Sequence, residues 1–289
     1  MKKFLAALLA AAMPLFALAG CGVQAAGFDA GKAITVISRE DGSGTRSAFI
    51  ELVGILVENE DGTEADMTTK EAVITDKTDV MMTNIANDPY AIGYISLGSM
   101  NGTIKAVNID GVQASVDNVK DGSYKIQRPF NIAVKEGLSE AASDFIAFIL
   151  SKEGQGVIAA NNYIAIDESA PAFSGSSPSG TVTVAGSSSV TPVMEELREA
   201  YLAVNANAKI EINMSDSSAG MTAAMEGICE IGMASRDLKD SELAQLTGTT
   251  IALDGIAVIV HNENTTANLS AEQVKNIFTG AITAWDGIN

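Results

Sequence analysis

The sequence predicts an α/β protein, and three observations carry that prediction. Short apolar runs rich in Val and Ile alternate along most of the chain with segments of helical periodicity. Several of those runs end in Gly, Ser and Thr turns that lead straight into a helix start. Once an N-terminal leader is set aside, roughly 265 residues remain, room for two α/β domains or one large one.

Taken in order, "AITVIS" (33–38) reads as a buried strand and "DGSGTRSAFIELVGILV" (41–57) as a turn feeding a helix. "TDVMMTNIAN" (78–87) has helical spacing, "AIGYIS" (91–96) and "IKAVNI" (104–109) read as strands, and "YKIQRPFNIAVK" (124–135) as one long strand. Two helices fit "SEAASDFIAFILSKEGQGVIAANN" (139–162). Composition then changes: residues 167–180, "DESAPAFSGSSPSG", hold two prolines, several serines and almost no large apolar side chain, which reads as a flexible linker. A second run follows, with strands in "TVTVAG", "KIEINM", "EIGMAS" and "TIALDGIAVIVH" and helices after "GSSSVTP" and "SDSSAG". Asp254 and Gly255, inside the last of these strands, mark a place for a bend or bulge. In the final helix, "NLSAEQVKNIFTG", Ser270 and Gln273 fit a capping box and Gly280 lies just past the end.

The leader, "MKKFLAALLAAAMPLFALAGC", has two lysines, an apolar run, and Leu18-Ala19-Gly20 before Cys21. That ending resembles the lipobox of bacterial lipoproteins, which implies a signal peptide over 1–20, lipidation at Cys21 and a tether over 21–32. No later stretch reaches the ~18 apolar residues of a membrane helix, so the expectation is a soluble body anchored to the outer face of the cell membrane. If Cys21 carries lipid, Cys229 has no disulfide partner in the chain and reads as a small buried residue.

The chain carries 18 Lys+Arg against 36 Asp+Glu, a net charge of −18, which becomes −20 when Lys2 and Lys3 leave with the leader. Nucleic acid is a poor partner for such a surface. A small anion is a different matter, because backbone N–H groups and helix N-termini make a local positive site whatever the net charge. With His261 the only histidine and no Cys/His cluster, neither a metal nor a cofactor is expected.

One device occurs three times: a strand ends in a small-residue turn that runs into a helix. The turns are "DGSGT" beside Arg39, "GSSSVTP" (186–192) and "SDSSAG" (215–220). Small residues let backbone approach a ligand, hydroxyls donate, and the free N–H groups of the helix face the turn. Arg39 offers a planar fork to two oxygens, and Asp41 is expected to hold that fork in place. "EIGMASRDL" places Ser235 just beyond another buried strand, where open α/β sheets usually bind ligands.

Together "GSSSVTP", "SSAGM", "EIGMASRDL", "DGIAVIVH", "NLSAEQVKNIFTGAITAW" and "SREDGSGTR" resemble the substrate-binding protein of the bacterial high-affinity phosphate ABC transporter, over nearly the whole mature chain. The resemblance implies a two-domain periplasmic-binding-protein fold of type II, mixed sheets with helices on both faces, closing on one phosphate ion without catalysis. It also implies a circular permutation. In the family the "GSSSV"-type segment opens the mature protein, whereas here it follows the linker. The expected domains are therefore 33–123 with 263–289, and a continuous 124–262 that contains the linker 167–180.

Carried over by motif, the phosphate would be met by Arg39, Ser43, Gly44 and Thr45, by Ser189, Val190 and Thr191, by Ser217 and by Ser235. Ser235 stands where the family often has an aspartate that accepts the proton of hydrogen phosphate and repels sulfate, so another tetrahedral oxyanion such as sulfate stays open. The expected partners are phosphate and the permease subunits of an importer, with the protein itself a monomer. A surface sensor or scavenger is a further reading. A secreted serine hydrolase is the remote one, because it needs a base and His261 lies in a strand.

Overall fold

The structure is a computed structural model that describes residues 27–288. In the first part of the chain β1 (Thr35–Arg39) leads into α1 (Gly44–Leu52), followed by the hairpin β2 (Leu56–Glu58) and β3 (Glu64–Asp66) and the edge strand β4 (Val73–Thr75). Next come α2 (Thr78–Asn87), β5 (Ala91–Ser96), the short strands β6 (Ile104–Ala106) and β7 (Asn108–Ile109), and α3 (Val116–Lys120). The middle holds β8 (Gln127–Val134), α4 (Glu140–Ile149), α5 (Lys152–Ala160) and β9 (Ile164–Ala165). Beyond the linker lie β10 (Gly180–Ser187), α6 (Thr191–Val204), β11 (Ala208–Ser215), α7 (Ser217–Glu226), β12 (Ile231–Ala234) and α8 (Asp240–Leu243). The chain closes with the long β13 (Thr247–His261), β14 (Asn268–Leu269) and α9 (Ala271–Phe278).

Local chemistry explains most boundaries. Ser139, Ser151 and Ser270 cap α4, α5 and α9 by accepting from backbone N–H groups three residues on, and Ser270 with Gln273 forms the expected capping box. Gly227 and Gly280, both at positive φ, end α7 and α9. β5 and β12 are buried at every residue, as their unbroken apolar runs require. Two expected strands are interrupted: 124–135 is strand only from Gln127, and 104–109 splits into β6 and β7. The hairpin and the short helices α3 and α8 lack the length for a legible period.

The main sheet runs β11-β10-β12-β8-β13-β5-β1-β4. β10 is parallel to β11 and β12, and β1 is parallel to β5 and β4. Antiparallel pairing joins the two groups through β8 and β13. β13 lies against β8 from Thr247 to Gly255 and against β5 from Ile256 to Val260, so it changes partner between Gly255 and Ile256. The register shift expected near Asp254 sits instead between Thr250 and Ala252. At Gly255 a Cβ would lie 2.8 Å from Val119 Cγ2, which accounts for the glycine.

Buried apolar side chains form two large clusters. One draws on 36–126 and 256–285 together with Ile164, with Phe49, Tyr94 and Phe278 packed ring on ring; the other draws on 130–252, around Phe145, Phe148 and Tyr201. Both described chain ends serve the first: Ala33 bridges Ala284, Ile34 N–H donates to the Thr283 carbonyl, and Trp285 is buried. Cys229 is free and buried in a smaller cluster beside Met221, where burial pushes its thiol pKa up.

The linker is tied down rather than flexible. Its one large apolar residue, Phe173, packs edge-on against Phe148 at 5.3 Å. The Pro171 and Pro178 carbonyls accept from Lys152 and Asn205, and Ser176 N–H donates to Asp144. These bonds satisfy backbone that would otherwise need water.

Candidate functional site

The carboxyl ends of five strands, two from one parallel group and three from the other, meet at one point. From β1 comes Arg39, followed by the turn in which Ser43 caps α1. β10 ends in Ser187-Ser188-Ser189 before α6, and Asp216 caps α7 after β11 with Ser217 as the first helical residue. Ser235 follows β12, and Thr78 opens α2 just after β4. Four helix N-termini, those of α1, α2, α6 and α7, thus open beside the same group of hydroxyls.

The two groups of strands touch through these turns. Arg39 Nη2 donates to Ser188 Oγ at 3.0 Å, and Thr45 Oγ1 lies 2.8 Å from Ser189 Oγ. Thr78 Oγ1 is 3.3 and 3.4 Å from the Ser188 and Ser189 hydroxyls. Ser187 Oγ donates to Ser235 Oγ at 2.8 Å, and Ser235 N–H donates to Ser217 Oγ at 3.1 Å. All of these side chains are buried, with Arg39 only 1% exposed. Gly44 allows the approach: a Cβ there would fall inside contact distance of Ser217 Oγ and 2.8 Å from Ser235 Oγ.

Glu40, not Asp41, holds the guanidinium. Its carboxylate accepts from Arg39 Nε and Nη2, both at 2.8 Å, and leaves the Nη1–Nη2 edge facing Thr78 and Ser188. The expectation for Asp41 is thereby corrected. Its side chain is 97% exposed in the turn and pairs with Arg46 at 2.8 Å, while Arg46 also bridges to Asp66 and donates to the Arg39 carbonyl.

Arg39, Gly44, Thr45, Ser189, Ser217 and Ser235 therefore converge. Three expected residues are committed elsewhere. Ser43 Oγ caps α1, the Val190 N–H, its backbone contribution, donates to the Ser187 carbonyl at 3.1 Å, and Thr191 Oγ1 donates to the same carbonyl at 3.0 Å. The motif reading passed over Glu40, Thr78, Ser187 and Ser188. The two serines lie inside the "GSSSV" run itself, and "VITDKTDV" is one more strand that ends at a helix start, so the same rule applied to it would have found Thr78.

A single guanidinium, many hydroxyls and several helix N-termini suit a tetrahedral oxyanion, meeting its charge with oriented dipoles. Nothing here suits proton abstraction by imidazole: His261 ends β13, where its Nδ1 accepts from Glu263 N–H. Among the described residues no group of acidic, His and Cys side chains could hold a metal.

Fold and site together define a binding protein of the kind that closes on a small ligand between two groups of strands. Residues 23–153 and 171–287 match the PBP superfamily domain. "Phosphate-binding protein PstS 2" of Streptococcus agalactiae is 51% identical over 274 residues, covering 94% of this chain and 93% of that one. The crystal structure of a phosphate ABC transporter, phosphate-binding protein from Streptococcus pneumoniae superposes with a TM-score of 0.71 at 45% identity, over 89% of this chain and all of that one. "Phosphate-binding protein PstS" of Pseudomonas aeruginosa is 32% identical over 133 residues, 43% of this chain and 41% of that one. The chain belongs to the PBP superfamily and, within it, to the family of the phosphate-binding proteins PstS.

Proposed function

We propose that this chain binds inorganic phosphate outside the cytoplasm and delivers it to an ABC-type importer, as a receptor and not an enzyme. The observation that carries this is the Nη1–Nη2 edge of the buried Arg39 guanidinium, turned away from Glu40 toward hydroxyls from both groups of strands. The names of the relatives supply the ion: those that match over nearly their whole length are called phosphate-binding proteins. Phosphate enters between two lobes, 33–123 with 263–289 and 124–262, and hinge closure about the strands joining them desolvates it. The two apolar clusters support a division of this kind, although Tyr124, Ile126, Ile164 and 256–260 pack in the first of them. Ser43, Val190 and Thr191 shape the turns, and the ion itself meets Arg39, Thr45, Thr78, Ser188, Ser189, Ser217 and Ser235.

Lipidation at Cys21 would hold the receptor at the outer face of the membrane; that residue lies outside the described ones. The segment order we read as a circular permutation. Two things support this: a relative matched over nearly its whole length beside another matched over less than half, and chain ends that bridge at Ala33 and Ala284. Ser235 supports a second reading, a broader tetrahedral-oxyanion receptor, because a hydroxyl both donates and accepts and therefore does not repel sulfate as a carboxylate does.

Calorimetric titration of the leaderless Arg39→Ala variant tests the site. Charge-assisted hydrogen bonds contribute about 1.5 to 3 kcal/mol each, so affinity for phosphate should fall at least tenfold. An unchanged titration would remove Arg39, and the site with it, from the proposal.

A further inference from the structure

A fully buried ion pair lies where β13 changes partner. Arg128 of β8 and Asp254 of β13 are register neighbours, with Nη2 3.2 Å and Nε 3.4 Å from Asp254 Oδ2, and neither side chain is more than 1% exposed. Removing two charges from water is costly, and a pair at these distances repays that only with further bonds. The further bonds lead in opposite directions. Asp254 Oδ1 accepts from Ser96 Oγ at 2.9 Å and from Gly98 N–H at 3.4 Å, at the end of β5 in the first apolar cluster. Arg128 Nη1 donates to the carbonyl of Ser235 at 2.9 Å, inside the candidate site. The guanidinium also lies over the Phe130 ring at 5.3 Å, which restricts its tilt. Burial raises the Asp254 carboxyl to about 6, while Arg128 and the Ser96 hydroxyl pull the other way.

We infer that Arg128 and Asp254 are positioning residues that fix the Ser235 peptide according to how the two groups of strands sit on one another. The Ser235 carbonyl is held by Arg128, its N–H by Ser217 and its hydroxyl by Ser187, so the guanidinium fixes the peptide that follows Ser235 and with it the backbone position from which the hydroxyl reaches the site. Asp254 in turn holds the guanidinium and is itself held by Ser96 and Gly98 across the change of strand partner. Relative rotation of the two groups therefore reaches Ser235 through four polar contacts, and the oxyanion site is complete in one relation of the groups only.

This rests on the phosphate reading, and a double-mutant cycle separates the two. Phosphate affinity is measured by calorimetry on the leaderless protein and on Arg128→Met, each alone and combined with Ser235→Ala or with Ser189→Ala. Arg128→Met should weaken binding at least tenfold in the unmodified and Ser189→Ala backgrounds, and less than threefold once Ser235 has lost its hydroxyl. Losses of equal size in all three backgrounds would overturn the inference and leave the phosphate reading intact, because a general loosening of the fold acts on every background alike. Absence of phosphate binding by the unmodified protein would overturn both. If Arg128→Met does not fold, the same cycle is run with Arg128→Lys, which keeps the charge but cannot reach Asp254 and Ser235 together; the same two outcomes decide. Asp254→Asn, which keeps an acceptor for Ser96, should reproduce the background dependence more weakly.

Discussion

Gly44 shows how one missing carbon sets a binding geometry. It is the first residue of α1, faces Ser217 and Ser235, and leaves no room for a methyl group in the closed arrangement. With the two groups of strands apart the turns accommodate a methyl group, so Gly44→Ala should leave the open, ligand-free protein about as stable in urea. Affinity for phosphate should nevertheless fall at least tenfold, because the added carbon holds the turns apart. Equal affinity in a calorimetric titration would mean that these turns do not close on the ion. Arg39 and the serine turns were visible in the sequence because the same small-residue turn between a strand and a helix occurs three times, once beside an arginine. The partner of Arg39 was not. Glu40 and Asp41 are both acids within two residues of it, and only the end of β1 decides which one points back.

Elements were legible where they were long and strongly periodic. α4 and α9 announce themselves by caps and apolar faces and α6 by a first-turn proline and its apolar face, whereas α8, four residues long, is held by a tertiary contact. Glu242 in α8 accepts from Arg236 just beyond β12, at 2.7 and 2.9 Å, and both side chains are buried. Burial alone would raise the Glu242 pKa, but hydrogen bonds from Arg236 and the Lys239 N–H outweigh it and hold the carboxyl below its ordinary 4.5. A carboxyl with a depressed folded-state pKa stabilises the fold above its ordinary pKa, and that contribution disappears as pH falls through the lower folded value. Glu242→Gln should therefore destabilise by about 1.5 to 3 kcal/mol at pH 7, as expected for hydrogen bonds to a charged group, and by progressively less as pH falls below the ordinary 4.5, as urea titrations over that range would show. A pH-independent difference would assign the effect to packing. The linker teaches a related lesson: its composition reads as flexible, and one phenylalanine in fourteen residues is enough to dock it.

At the scale of the molecule, the sequence invites a cut at the linker, yet the cores divide elsewhere. Ala33 beside Ala284 and the change of partner in β13 depend on pairings across more than a hundred residues, which no local pattern reveals. If the segment order is a permutation, placing residues 181–288 ahead of residue 33 through a short loop should give a folded protein that binds phosphate within a fewfold of the original, since those ends already lie side by side. An insoluble or inactive product would count against it. The most direct test of the whole account is calorimetric titration of the leaderless protein, stripped of bound anion, with phosphate and then sulfate from pH 5 to 8. The account predicts phosphate binding at about 1 μM or tighter, near −8 kcal/mol; no heat of phosphate binding at any pH would contradict it.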